Sequence, residues 1–169
     1  MARTTDRRPG GFTLLELILM LVLISTVLAL AAPSLRGFVR SRETANAAAR
    51  ILALTQYARS QAISEARPYR LHVDGSSNLC WLASQWCGTY VELGREMGRP
   101  FALPPGAVVR LTDASGQASP LSWVQFYPDG RTDAAIIEIT GAPGEVFRVA
   151  CESATERFRI LAPGESGKP

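Results

Sequence analysis

The chain holds one histidine, His72, and three cysteines, Cys80, Cys87 and Cys151. A hydrolytic triad or a zinc centre would need that histidine beside a nucleophile or several further ligands. No Cys-x-x-Cys, His-x-x-x-His or Gly-x-Ser-x-Gly spacing occurs, and no glycine-rich nucleotide-binding fingerprint. His72 sits in the alternating run Arg70-Leu71-His72-Val73-Asp74, so strand periodicity accounts for it without any site. No catalytic residue, metal or cofactor is therefore expected, and energy for any work must come from another protein. Glu16 has a stronger chemical motive. It heads a run from Leu17 to Leu35, 19 residues without a charge. An ionisable carboxylate in apolar surroundings costs several kcal/mol unless it finds a partner, which makes it a functional candidate. A helix N-terminus would favour it by about 0.3–1 kcal/mol, which is the blander account.

The remaining candidates are weaker. Cys80 and Cys87 lie seven positions apart and could close a short loop, provided the chain turns between them. Cys151 could reach either one, or all three could be free buried thiols. An odd count leaves at least one thiol unpaired within the chain. Trp81, Trp86 and Tyr90 cluster in the same segment; core packing is expected of them in preference to a partner-binding surface.

The elements that carry these residues follow from hydropathy and periodicity. As a helix the uncharged run would span about 28 Å, against a hydrocarbon core of about 30 Å. It is longer than the apolar region of a cleaved signal, so an uncleaved single-pass anchor is expected despite the small residues Ala29, Ala31 and Ala32. The net charge is +3, and Arg3, Arg7 and Arg8 against Asp6 supply +2 of it, leaving +1 for the rest. The basic excess thus marks the cytoplasmic side of an anchor rather than a nucleic-acid surface. Pro33 should kink the helix. Residues 34–66 read as an amphipathic continuation, with Leu35, Phe38, Ala45, Ala49, Leu52, Ala62 and Ala66 on the apolar stripe. Arg67-Pro68 ends it.

Beyond Pro68 the pattern is short strands and turns. Strands are expected at 70–74, 79–86, 107–112, 122–127, 134–140, 145–151 and 157–161. Pro128-Asp129-Gly130 and Gly141-Ala142-Pro143-Gly144 turn between them. A helix followed only by strands argues an α+β fold, the long N-terminal helix packed on a C-terminal antiparallel sheet or two-sheet sandwich. Residues 163–169 read as a flexible tail.

The string Gly10-Gly11-Phe12-Thr13-Leu14-Leu15-Glu16, leading into the apolar run, closely resembles the processing signal of type IV prepilins and type II secretion pseudopilins. The resemblance implies a cut between Gly11 and Phe12 by prepilin peptidase, followed by N-methylation of Phe12. It also implies an assembly role for Glu16, neutralising the Phe12 amino group of a neighbouring subunit. The segment Trp123-Val124-Gln125-Phe126-Tyr127-Pro128-Asp129-Gly130-Arg131-Thr132 resembles the Phe-x-Pro-x-Gly hairpin of H-type minor pseudopilins and FimT-type minor pilins. Gln56 to Ile63 and Arg67-Pro68 resemble the end of the long helix in that family. Major pseudopilins of the G type carry a calcium-binding loop for which no Asp-rich counterpart exists here, which points to a minor subunit.

The organisation so implied is a leader at 1–11, a transmembrane helix at 12–35, a periplasmic helix extension at 36–67, and a β-rich domain at 68–162. The chain would sit in the bacterial inner membrane with its carboxyl domain in the periplasm. Its partners would be other minor and major pseudopilins, prepilin peptidase and the inner-membrane assembly platform. The expected function is that of a structural, non-enzymatic minor pseudopilin of type II secretion. The alternative is a FimT-like minor pilin acting in pilus biogenesis or DNA uptake. That group carries a basic Gly-Arg-x-Arg, matched here by Glu156-Arg157-Phe158-Arg159 with Glu in place of Gly. Arg157 and Arg159 are thus the DNA-binding candidates. Two arginines among acids are a small phosphate footprint, so nucleic acid is not the expected partner.

Overall fold

The computed structural model describes residues 12–94, 97–142 and 144–161, with the side chains of residues 31–38 outside that description. The chain divides into two units, residues 1–38 and 39–169. Among the described residues one helix, α1 (Leu14–Ser64), is followed by nine strands. Thr13 opens the helix: its Oγ1 accepts the Glu16 N–H at 3.2 Å. The Thr-x-x-Glu spacing is that of a capping box, in which the cap satisfies a donor the first turn leaves free. The helical backbone continues through Pro33, whose side chain lies outside the description. At the far end Ala66 takes φ 51°, and the Arg67 N–H reaches back to the Ala62 carbonyl at 3.2 Å. This is a Schellman-type stop with alanine where glycine is usual. Pro68 then forbids continuation.

The strands are β1 (Tyr69–Asp74), β2 (Leu79–Trp86), β3 (Thr89–Glu92), β4 (Phe101–Ala102), β5 (Val108–Asp113), β6 (Trp123–Phe126), β7 (Ala135–Thr140), β8 (Val146–Cys151) and β9 (Arg159–Leu161). They form two sheets. The first has the order β3-β2-β1-β6, with β4 pairing β2; the second runs β5-β7-β8-β9. Every pairing is antiparallel. The expected α+β architecture with two antiparallel sheets is therefore present. Strands β3 and β4 were not expected. They are four and two residues long, too short to show an alternation.

One core joins the second part of α1 to both sheets. Ala48, Ile51, Leu54, Ala58 and Ala62 from the helix meet Leu71, Leu82, Val124 and Phe126 of the first sheet, and Val109, Ile137 and Val149 of the second. Small residues on the helix allow close approach. At Gly141, in the turn between β7 and β8, an added Cβ would lie 2.6 Å from Thr44 Oγ1. The expected apolar stripe needs correction here. Ala62 is buried, but Ala49 and Ala66 are exposed, and Ala45 and Leu52 are only half-buried. The inward face is Thr44, Ala47, Ala48, Ile51, Leu54, Thr55, Ala58 and Ala62. Thr44 and Thr55 can sit inside because their hydroxyls donate to the Arg40 and Leu52 carbonyls, at 3.0 and 2.7 Å. With alanine on every side of the helix, apolar count alone does not fix the phase.

Candidate functional site

The first part of α1 carries the residues with the clearest chemical motive. From Phe12 to Leu30 every large apolar side chain is at least half exposed. Beyond the Thr13 cap, the two hydroxyls of this stretch turn inward on the helix itself. Ser25 Oγ donates to the Leu21 carbonyl at 2.7 Å and Thr26 Oγ1 to that of Val22 at 2.8 Å. These hydroxyls are thus satisfied without water, and apart from the Glu16 carboxylate what remains outward is hydrocarbon. Glu16 is the one acid in the first turn. Its backbone N–H is capped by Thr13 while its carboxylate is exposed. Among the described residues no helix is long and apolar enough to cross a membrane; the described side chains of the apolar run stop at Leu30. Gly11, the expected cleavage residue, lies outside the described residues, and Phe12 is their exposed first member.

The outer face of the first sheet presents a second group. Side chains alternate across a strand, so while Leu71 and Val73 point to the core, Arg70 and His72 point away. His72 stands opposite Trp81 on β2 and Trp123 on β6. Its ring stacks on Trp81 with centroids 4.9 Å apart and lies 5.9 Å from Trp123. Burial, aided by the Arg70 charge, lowers the His72 pKa below its usual value. The Arg70 guanidinium lies 3.6 Å above the Tyr90 ring and 4.6 Å from that of Trp123. Its Nε donates to Gln125 Oε1 at 3.0 Å, which also accepts the Tyr90 hydroxyl at 3.3 Å. Trp86 is 58% exposed, with Arg67 4.2 Å over its ring. The expectation that Trp81, Trp86 and Tyr90 pack in the core is corrected: strand alternation turns Trp81 outward, and Trp86 and Tyr90 flank a hairpin at the sheet edge.

A groove of about 410 Å³ runs beside the last turns of α1. Its floor is Phe126 and Phe158, whose rings are 6.1 Å apart, and Ile63 closes one side. Phe126 belongs to the hairpin read from the sequence. Within it the Gly130 N–H donates to the Tyr127 carbonyl at 3.0 Å, and Gly130 takes φ 83°, which suits a residue without Cβ. Two cations line the groove, Arg59 and Arg157. Arg59 donates to the carbonyls of Glu156 at 2.6 Å and Thr155 at 3.1 Å, tying the helix to the segment before β9. Thr132 Oγ1 is buried there with no hydrogen-bond partner.

The two DNA-binding candidates divide. Arg157 lines the groove, whereas Arg159 pairs with Glu152 at 3.1 Å. Arg157 precedes β9, which begins at Arg159, so the expected shared strand is absent. Arg59, Thr132 and Phe158 were not singled out from sequence. They are 26 to 99 positions apart, and only the packing of the helix against the second sheet brings them together.

Of the two states the sequence leaves open for Cys80 and Cys87, the structure has the free thiols, and Cys151 is free as well. β2 runs straight from Leu79 to Trp86, which sets Cys80 and Cys87 about 23 Å apart at about 3.3 Å per residue, far beyond disulfide reach. The turn comes only after Trp86. Cys87 and Gly88 occupy it with φ 48° and 84°, the two-residue hairpin geometry that demands positive φ at both positions. Cys80 is buried in the core, and burial pushes its thiol up to about 12. Among the described residues no group of three or more acids, histidines or cysteines could hold a metal.

A protein-family model described as type II transport protein GspH matches residues 47–162. Among solved structures, the minor pseudopilin EpsH from the type 2 secretion system of Vibrio cholerae is similar at TM-score 0.64 and 16% identity, over 73% of this chain and 99% of that one. The solution structure of Escherichia coli GspH is similar at TM-score 0.53 and 18% identity, over 73% and 88%. The Pseudomonas aeruginosa type IV minor pilin FimU is similar at TM-score 0.50 and 19% identity, over 75% and 92%. No curated protein matches by sequence. At these identities the structural likenesses speak for the fold alone.

Proposed function

Since the chain belongs to the GspH family of type II transport proteins, we propose that it is a minor pseudopilin, a structural subunit of the type II secretion pseudopilus. Prepilin peptidase would cut between Gly11 and Phe12 and methylate the new terminus. The apolar helix would then hold the subunit in the inner membrane, with the β-domain in the periplasm, until the assembly platform adds it to other pseudopilins. The observation that carries this reading is the exposed apolar stretch Phe12–Leu30 headed by Glu16. Such a surface needs lipid or other helices around it. In a bundle of these helices the Glu16 carboxylate would meet the Phe12 amino group of the next subunit. A buried pair of this kind serves register more than stability. No catalytic step and no cofactor enter the proposal.

Mass spectrometry of the membrane-extracted protein tests it: the mature chain should begin with N-methylated Phe12. An intact Met1, or a terminus near Ala32, would overturn the processing scheme. Glu16→Ala should insert and be processed normally, yet be incorporated into filaments at a tenth of the wild-type level or less. The FimT-like reading, with DNA as ligand, gains nothing from the geometry, because Glu152 compensates one of its two arginines and phosphate affinity follows the number of uncompensated contacts.

A further inference from the structure

We propose that the groove between the end of α1 and the segment before β9 is a receptor for an acidic peptide segment of another subunit, a carboxylate flanked by apolar residues. The proposal rests on the assembly reading above. Three observations point to this occupant. First, the charged side chains lining the groove, Arg59 and Arg157, have one sign. Arg59 spends two N–H groups on the Glu156 and Thr155 carbonyls, and its guanidinium has five. Arg157 is exposed. An anion entering the groove therefore meets the remaining donors of Arg59, held in place by those two bonds, and the guanidinium of Arg157. Second, Thr132 is 1% exposed and its hydroxyl has no partner among the described residues. Buried polar atoms are almost always paired, and a fold that leaves one unpaired beside two arginines holds a donor ready for an acceptor from outside. Third, the apolar lining is Phe126 and Phe158 on the floor and Ile63 at the side, which fits an aliphatic or aromatic neighbour of the acid.

A nucleic acid fits less well. Its affinity grows with the number of phosphates neutralised along a strand, and here only two cations line one short groove over an apolar floor. A carboxylate accepts two convergent donors from a guanidinium, and the adjoining side chain fills the floor.

The test uses the purified full chain in detergent and two fluorescein-labelled pentapeptide amides, Gly-Phe-Glu-Leu-Gly and its Gln counterpart, read by fluorescence anisotropy. The Glu peptide should bind at least tenfold more tightly than the Gln peptide. Arg157→Glu should abolish that difference. Thr132→Val should weaken the Glu peptide about tenfold while leaving the thermal midpoint of the domain unchanged or higher, since it deletes an unpaired buried hydroxyl at constant shape. A hydroxyl with a purely structural role would move the midpoint and not the binding. Equal affinity for the two peptides, no binding of either, or insensitivity to Arg157→Glu overturns the proposal. So does a 12-nucleotide single strand that displaces the peptide in an Arg157-dependent manner. A chain that begins at Phe12 and enters filaments but fails these binding tests would sink the receptor and leave the assembly reading standing.

Discussion

Within α1, two stretches share one backbone geometry and present opposite surfaces. From Leu14 to Leu30 the large apolar side chains, mostly leucine, isoleucine and valine, are at least half exposed. From Thr44 to Ala62 the buried residues are two threonines, four alanines, Ile51 and Leu54, and none is more than 7% exposed. Bulk and hydrophobicity therefore do not decide which part of this helix is covered by its own chain. Small side chains let the sheets come to the helix, and the threonines can join them because they bond to their own turn. Large side chains on all sides leave no single face for a sheet to choose, so that stretch calls for an apolar medium around it.

Matched truncations give the largest test of this contrast. Ile51→Ala should destabilise the β-domain by about 3 kcal/mol, because it removes a fully buried side chain and leaves a cavity. Leu21→Ala should leave the thermal midpoint of that domain unchanged. Equal effects on both would break the comparison. A smaller effect probes the close approach itself. Gly141→Ala places a methyl against Thr44 and should cost about 1–3 kcal/mol. Adding Thr44→Ala removes the nearest colliding atom, Oγ1, together with Cγ2 and leaves only Cβ at 3.2 Å, so it should restore most of the loss, read as a coupling in a double-mutant cycle. The smallest effect is at the helix end and has the opposite sign. Ala66→Gly relieves a left-handed alanine and should raise stability by about 0.5–1 kcal/mol in a denaturant titration.

Strand placement was largely legible in the sequence, since alternation such as Leu71-His72-Val73 shows directly which residues are inside. β2 was expected at 79–86 and is found at Leu79–Trp86. β3 and β4 were not legible, because Thr89–Glu92 exists through the Cys87-Gly88 turn and Phe101–Ala102 through pairing with Leu79 and Cys80. The phase of the helix was misread where alanine is abundant and threonine is the buried residue. The state of Cys80 and Cys87 was left open by one unknown, whether the chain turns before or after Trp86. Glu16 and Phe12 stood out because their chemistry is local to one short string. The groove did not, because Arg59, Thr132 and Arg157 become neighbours only through tertiary packing.

The hairpin that separates the cysteines has a practical outcome for anyone handling the protein. Cys80 and Cys151 are buried, and their thiols are held protonated above the usual range, whereas Cys87 stands exposed on a two-residue turn. A thiol-specific reagent acts on the thiolate that it can reach. The native fold should therefore take up one equivalent of maleimide at neutral pH, at Cys87, with no cysteine removed. A dye or spin label placed there would report from the tip of the β2–β3 hairpin.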